Sequence, residues 1–181
     1  MPKALNEIYI SVDVETAGPN PRNYSLLSIG ACTVFKPRKK FYVEIQPLNN
    51  NFIPEAIEIC HLDLQELQDN GLSPAEAMTN FAQWVNEVVP ENGQPIFVAF
   101  NAPFDWMFIN DYFHRFVGYN PFGHKALDIK AFYMGMSGVS WEETKMERLS
   151  AQYLNGQALT HNALDDTLDQ AEIFRQLLAK R

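Results

Sequence analysis

Apolar and polar side chains alternate along residues 7–15, and this period-two pattern predicts a strand with one buried face. The aliphatic face holds Ile8, Ile10, Val12 and Val14, and the polar face holds Tyr9, Ser11, Asp13 and Glu15. A glycine and two prolines between residues 16 and 21 end the strand, because proline cannot continue a backbone ladder. Residues 26–35 and 40–46 predict two more strands. Since only a short polar turn separates those two, we expect an antiparallel meander.

The pattern becomes helical in the middle of the chain. Ser73-Pro74-Ala75-Glu76 combines a serine cap, a proline in the first turn and a glutamate three residues after the cap, which is typical of a helix start. Residues 95–100 are almost continuously apolar, which indicates a strand buried on both faces. The other predicted elements are a strand at 126–129 and helices at 54–60, 62–68, 103–117, 141–154 and 160–179. This order predicts one α/β domain with a mixed sheet, spanning residues 1–181.

Composition agrees with a globular domain and narrows its setting. The chain has 181 residues, 46% of them hydrophobic, and 14 basic against 22 acidic residues give a net charge of −8. An acidic chain argues against charge-driven coating of nucleic acid, but it allows a metal-bridged site. Two cysteines are too few for a disulfide scaffold. With neither a signal-peptide pattern nor an apolar run of about 18 residues, we expect a cytoplasmic protein without membrane contact.

A pair of carboxylates and a single aspartate depart from this pattern. Asp13 and Glu15 project from the same face of the first strand, where like charges are unfavourable unless a cation or proton intervenes. Asp105 follows the buried strand 95–100, and loops at the carboxyl ends of sheet strands are where α/β proteins assemble sites. Each observation alone is explained as well by a solvated acid or by a helix-start acid.

The last helix carries the sharpest physical signal. With about 100° per residue, Asp166 falls between Ile173 and Leu177 inside the apolar arc, whereas Asp165 falls on the wet face. An ionised carboxylate is not buried without a partner or a metal. Several inward carboxylates suit hard divalent cations, which serve phosphoryl chemistry, and a histidine can deprotonate the attacking water.

Three motifs resemble those of the DEDDh (DnaQ-like) 3′–5′ exonucleases. They are V-D-V-E-T at 12–16, N-A-P-F-D at 101–105 and H-N-A-L-D-D at 161–166. The order, spacing and local structure of the motifs all agree over nearly the whole chain. The resemblance implies a ribonuclease H-like fold, with a five-stranded mixed sheet flanked by helices. Within the family, the motif wording is most similar to that of ribonuclease T, which implies a possible homodimer.

The resemblance also implies a role for each matching residue. Asp13, Glu15, Asp105 and Asp166 would hold two divalent cations, Mg²⁺ or Mn²⁺, and His161 would be the general base. The substrate would be the 3′ end of single-stranded RNA or DNA. Its contacts would include Thr16, Glu55 and Phe104.

Three functions are weighed on these grounds. A metal-dependent 3′–5′ exonuclease that releases 5′-mononucleotides is favoured, either acting alone or as a proofreading-type DNA exonuclease subunit. The second is a catalytically silent exonuclease fold that binds nucleic acid or a partner. The third is a hydrolase of another phosphodiester or of a nucleotide, since a fold alone does not determine the substrate. RNA and DNA stay equally open at this point.

Overall fold

A five-stranded mixed sheet forms the centre of the protein, as seen in a computed structural model that describes residues 6–156 and 161–180. The strands are β1 (Asn6–Thr16), β2 (Leu26–Thr33), β3 (Lys40–Glu44), β4 (Gly93–Ala99) and β5 (Ala126–Asp128). They lie in the order β3-β2-β1-β4-β5. The first three strands pair antiparallel, while β1 with β4 and β4 with β5 pair parallel. The predicted meander and the predicted mixed five-stranded sheet are thereby confirmed.

Helices cover both faces of this sheet. They are α1 (Pro54–Cys60), α2 (Leu64–Asn70), α3 (Pro74–Val88), α4 (Ala102–Phe116), α5 (Ile129–Ser137), α6 (Met146–Tyr153) and α7 (Ala163–Ala179). The capping box predicted for Ser73 and Glu76 is present at the start of α3. Helices α3 and α4 pack on one face of the sheet, and α5, α6 and α7 contribute to the core on the other.

Two helical predictions were incomplete. The sequence pattern did not predict α5, whose glycine and short length make a weak helical signal; Asp128 caps its first turn and Ile129 is buried in the core beside α7. The predicted helix 141–154 is divided at Lys145, whose extended backbone separates a 3₁₀ turn (Trp141–Thr144) from α6. The predicted start of the last helix at residue 160 lies outside the described residues.

The strands do not end at the same level, and this difference positions the site. Pairing between β1 and β4 runs to Ser11 opposite Val98, whereas pairing between β1 and β2 continues to Thr16 opposite Leu26. The last residues of β1 therefore extend beyond β4 and have a strand neighbour on one side only.

In the described ranges, every helix is too short or too polar to cross a lipid bilayer.

Candidate active site

The extended end of β1 carries the first pair of carboxylates. Asp13 and Glu15 project from the sheet face that α7 covers, while Val12 and Val14 point into the opposite core. Because β4 has already ended at Ala99, the space beside these carboxylates is open to the loop that leads into α4. The alternation found in the sequence thus places both acids at a sheet edge where other chain segments converge.

Helix α7 brings Asp166 to the same place. Asp166 is 3% exposed, whereas the neighbouring Asp165 is on the surface, as the helical periodicity predicts. Gly30, which pairs with Asp13 across the sheet, allows this approach. A Cβ atom at Gly30 would lie only 2.1 Å from the carbonyl oxygen of Ala163, so any larger residue would displace the first turn of α7.

Asp105 lies on α4, close enough to Asp13 and Glu15 for their charges to act on it, but outside the set of three carboxylates that converge most closely. It lies in the first turn of that helix and is 4% exposed. The N-terminal end of α4 is held by Asp128, whose Oδ2 accepts a hydrogen bond of 2.6 Å from the backbone N–H of Ala102. Asp128 also accepts from the N–H of Ala131 and so caps α5. One aspartate side chain thus holds the first turns of both α4 and α5.

The electrostatics of the group are unfavourable without a cation. Burial, followed by the charge of Asp166, raises the pKa of Asp13 to about 8. Burial, followed by the charges of Asp13 and Asp166, raises the pKa of Glu15 to about 9. Burial and the charges of Asp13 and Glu15 also raise the pKa of Asp105, although hydrogen bonds from backbone N–H groups oppose the rise. In the part of the chain that is described, no lysine or arginine forms an ion pair with Asp13, Glu15 or Asp105.

This arrangement fits a divalent metal ion. One oxygen from each of Asp13, Glu15 and Asp166 lies within 4.8 Å of the others. All the available ligand atoms are carboxylate oxygens, which Mg²⁺ and Mn²⁺ prefer over softer ligands. A cation between them would offset the burial and the mutual repulsion that together raise the pKa values of Asp13 and Glu15.

His161 lies directly before α7, at the mouth of this site. Its backbone N–H donates a hydrogen bond of 3.0 Å to Oδ2 of Asp166, and its side chain is exposed. The backbone adopts a left-handed conformation with φ of 54°. Asn162 then caps α7 by accepting from the N–H groups of Leu164 and Asp165. The imidazole is therefore accessible to solvent water while the main chain orients a neighbouring carboxylate.

The three expected substrate contacts lie in different environments. Thr16 is 7% exposed, and its hydroxyl donates to the carbonyl oxygen of Gly18 at 3.0 Å, so that proton is already engaged. Glu55 is exposed in the first turn of α1. Phe104 is half-buried, with its ring 5.5 Å from that of Phe108. Their roles toward a substrate stay predictions.

Sequence reasoning missed two residues that shape this site. Gly30 lacked a turn or motif to mark it, because its importance comes from a helix more than one hundred residues away in the chain. Gln170 is only 3% exposed and donates a 2.6 Å hydrogen bond to Oδ1 of Asp13. A signal for Gln170 did exist, since it lies one turn after Asp166 on the inward side of α7.

Comparisons with known proteins identify the family. The model of the exonuclease family that includes ribonuclease T matches residues 10–174. A 3′–5′ DNA exonuclease, Cap18 of Escherichia coli, is 48% identical over 169 residues, covering 93% of this chain and 90% of Cap18. The chain belongs to the DnaQ-like 3′–5′ exonuclease family. It is therefore a hydrolase of phosphodiester bonds, as predicted from the three motifs.

More distant relatives define the breadth of the family. Ribonuclease T of Haemophilus ducreyi is 27% identical over 176 residues, covering 91% of this chain and 82% of that protein. E. coli exonuclease I in complex with a dT13 oligonucleotide superposes with a TM-score of 0.74 at 18% identity over 97% of this chain. The chain spans about two-fifths (41%) of the length of exonuclease I. The nuclease domain of 3′hExo, a DEDDh family member bound to rAMP, superposes with a TM-score of 0.75 at 13% identity, covering 99% of this chain and 94% of that domain. These superpositions confirm the ribonuclease H-like exonuclease fold.

Proposed function

We propose that this protein is a divalent-metal-dependent exonuclease that removes 5′-mononucleotides from the 3′ end of single-stranded DNA. The observation that supports this most directly is the convergence of Asp13, Glu15 and Asp166 within 4.8 Å. Buried Asp105 lies close enough to Asp13 and Glu15 to feel their charges. We propose further that residues 1–181 act as one exonuclease domain.

The four carboxylates would hold two cations. Bound Mg²⁺ or Mn²⁺ would supply Lewis acidity toward a phosphate and lower the pKa of a water molecule. The protein itself contributes rigid ligand placement: Asp13 and Glu15 lie on a sheet strand, and Asp166 lies one turn inside a capped helix.

His161 would remove the proton from the attacking water at a ring nitrogen. Its side chain is exposed, whereas its backbone N–H is bonded to Asp166, so the base and the carboxylate are linked by the main chain. This hydrogen bond fixes the backbone of His161 beside Asp166, while the side chain stays exposed. General-base assistance of this kind typically contributes about 10²- to 10⁴-fold in rate.

Thr16, Glu55 and Phe104 would contact the terminal nucleotide. Thr16 ends β1 directly after Glu15, where its backbone and its hydroxyl oxygen can accept hydrogen bonds from sugar hydroxyls. The ring of Phe104 directly precedes Asp105 and offers a face on which a base can stack. Glu55 is placed on α1, which packs beside β1.

DNA is favoured over RNA by similarity. The relative that shares 48% identity is a DNA exonuclease, whereas the ribonuclease T relatives share 26% to 28%. RNA is the second candidate, because those relatives still cover more than nine-tenths of this chain. A homodimer, expected from the resemblance to ribonuclease T, stays a prediction that light scattering of the purified protein would test.

The decisive experiment uses matched oligonucleotides. Single-stranded DNA and RNA of one sequence, labelled at the 5′ end, are incubated with the full chain in Mg²⁺, in Mn²⁺ and in EDTA. We expect a ladder that shortens from the 3′ end, faster for DNA, and no digestion in EDTA. Cleavage of a closed circular DNA would contradict exonuclease polarity, and full activity in EDTA would contradict the metal site. If neither the DNA nor the RNA oligonucleotide is digested under any condition, a catalytically silent fold is favoured.

A further inference from the structure

Gln170 occupies an unusual position beneath the carboxylate group. It lies one helical turn after Asp166 on α7 and is 3% exposed. Its Nε2 donates to Oδ1 of Asp13 at 2.6 Å, and its Oε1 accepts from the backbone N–H of Phe100 at 3.0 Å. One side chain therefore spans from the last helix to the first strand and to the end of β4.

The orientation of this amide follows from its partners. The backbone N–H of Phe100 can only donate, so it must face the carbonyl oxygen of the amide. The NH₂ group then faces Asp13, where it donates to Oδ1. Exchanging the two amide atoms would break both hydrogen bonds, so the side chain has a single satisfied orientation.

The bridge compensates for the early end of β4. Phe100 is the first residue after β4, and the loop that follows it leads within five residues to Asp105. The end of β1 lacks a strand neighbour on this side, and Gln170 fills that gap with a side chain from α7. The three chain segments that carry Asp13, Asp105 and Asp166 are thus joined through one amide.

A neutral donor suits this place better than a charged one. A lysine or arginine at the same distance would neutralise Asp13 and repel a metal ion. The amide instead holds the carboxylate by Oδ1 without adding charge and leaves Oδ2 available to a cation.

We propose that Gln170 is a positioning residue that orients Asp13 and fixes the β4–α4 junction for metal binding. The proposal rests on the proposed function, because it assumes that these carboxylates hold metal. It makes a separate claim, however: metal affinity depends on a residue that does not itself touch the metal.

The test is a calorimetric titration of the metal-free full chain with Mn²⁺ alone. Gln170→Met keeps the size and flexibility of the side chain and removes both hydrogen bonds. Loss of a hydrogen-bond partner behind a metal ligand typically weakens metal binding by about 10- to 100-fold, and we expect a loss in that range. Gln170→Asn, whose amide is one methylene too short to reach both partners, should fall between the wild type and Gln170→Met.

Gln176→Met is the matched control. Gln176 lies on the same helix and also bonds two oxygens, those of Tyr153 and Glu172, but away from the carboxylate group. We expect Gln176→Met to change stability slightly and to leave Mn²⁺ affinity within about twofold of wild type. In kinetics, Gln170→Met should raise the metal concentration needed for half-maximal rate while leaving the KM for the oligonucleotide at saturating metal unchanged.

The outcomes separate this proposal from the proposed function. If Gln170→Met and Gln170→Asn bind Mn²⁺ as tightly as wild type, the positioning role is wrong even when the enzyme is active. If wild type binds Mn²⁺ and the Gln170 variants bind it weakly, but no oligonucleotide is digested, the positioning role stands and the exonuclease proposal fails. Equal losses for Gln170→Met and Gln176→Met would indicate a general effect of helix stability and would overturn the proposal.

Discussion

The two faces of the central sheet have different interiors. The face under α3 and α4 is built from stacked aromatic rings, such as Phe81 with Phe41 at 5.0 Å and with Phe113 at 5.5 Å between ring centroids. The face under α7 becomes polar toward the end of β1, where Asp166 and Gln170 are buried beside Asp13.

The difference shows that the unfavourable buried polar groups are concentrated on the α7 face. On the α7 face, the hydroxyl of Ser11 is buried without a hydrogen-bond partner in the described residues, and buried carboxylates repel one another. Such groups lower stability unless a ligand compensates. The aromatic face contributes burial energy that does not depend on any ligand. We therefore expect mutations on the two faces to separate activity from stability.

The largest effect is expected from adjacent residues of α7. Asp166→Asn removes a buried carboxylate of the proposed metal site, whereas Asp165→Asn alters a surface acid. We expect Asp166→Asn to lower the single-turnover rate by about 10⁴-fold or more, because it removes a metal ligand. This loss equals or exceeds the upper end of the range typical of losing a general base. Asp165→Asn should stay within about threefold of wild type, since it leaves the site intact. Equal losses in the two variants would mean that the inward face of α7 is wrongly assigned.

His161→Ala should follow in size. We expect a rate loss of about 10²- to 10⁴-fold at neutral pH, because the proton of the attacking water loses its acceptor. The loss should shrink at higher pH, where hydroxide needs less assistance. Metal binding should survive, since the backbone N–H that bonds Asp166 is unchanged. An unchanged single-turnover rate would exclude His161 as the base.

A mutation on the aromatic face should act in the opposite way. Phe81→Ala removes a fully buried ring and should lower the free energy of unfolding by about 3–5 kcal/mol. Under conditions where the variant stays folded, its rate constant should be close to that of wild type, because the ring belongs to the core on the sheet face opposite Asp13 and Glu15. Phe35→Ala, at a ring that is 50% exposed, is the control and should change stability by less than about 1 kcal/mol. Urea denaturation and single-turnover kinetics measure both quantities.

Gly30→Ala tests the contact between the sheet and α7. The added methyl group would meet the Ala163 carbonyl, so α7 must move, at a cost of about 1–3 kcal/mol in unfolding free energy. Because that movement displaces Asp166, we expect a greater loss of activity than in Phe81→Ala. Gly135→Ala in α5 meets no atom within 4 Å and should stabilise the protein by roughly 0.5–1 kcal/mol through helix propensity. Normal activity in Gly30→Ala would show that the close approach is not needed.

A further expected effect is a pH dependence of stability. The folded-state pKa values of Asp13 and Glu15, about 8 and about 9, are raised above their ordinary values of 3.8 and 4.5. The unfolded chain therefore releases these protons first, and metal-free protein should lose stability as pH rises from about 5 to about 9. Mg²⁺ should stabilise the protein most at the upper end of this range, and Asp13→Asn should flatten the slope. Thermal unfolding with EDTA or Mg²⁺ at several pH values measures this effect, and a metal-free stability that rises over the range would contradict it.

Local patterns in the sequence predicted most of the secondary structure. Period-two alternation identified β1, and the capping box at Ser73 identified the start of α3, because both signals depend only on neighbouring residues. The weaker helix α5 escaped prediction, since its stability comes from the cap of Asp128 and from packing of Ile129 rather than from propensity.

The features of the candidate site also separate into those set by local sequence and those set by tertiary packing. By itself, the sequence determined which residues carry the carboxylates and that Asp166, rather than Asp165, points inward, because the helical period is a local property. Only the tertiary structure decided that β4 ends before β1, that Gly30 admits the first turn of α7, and that Gln170 joins Asp13 to Phe100. These contacts link residues up to 157 positions apart, and their geometry depends on how whole strands and helices pack, which no local pattern encodes.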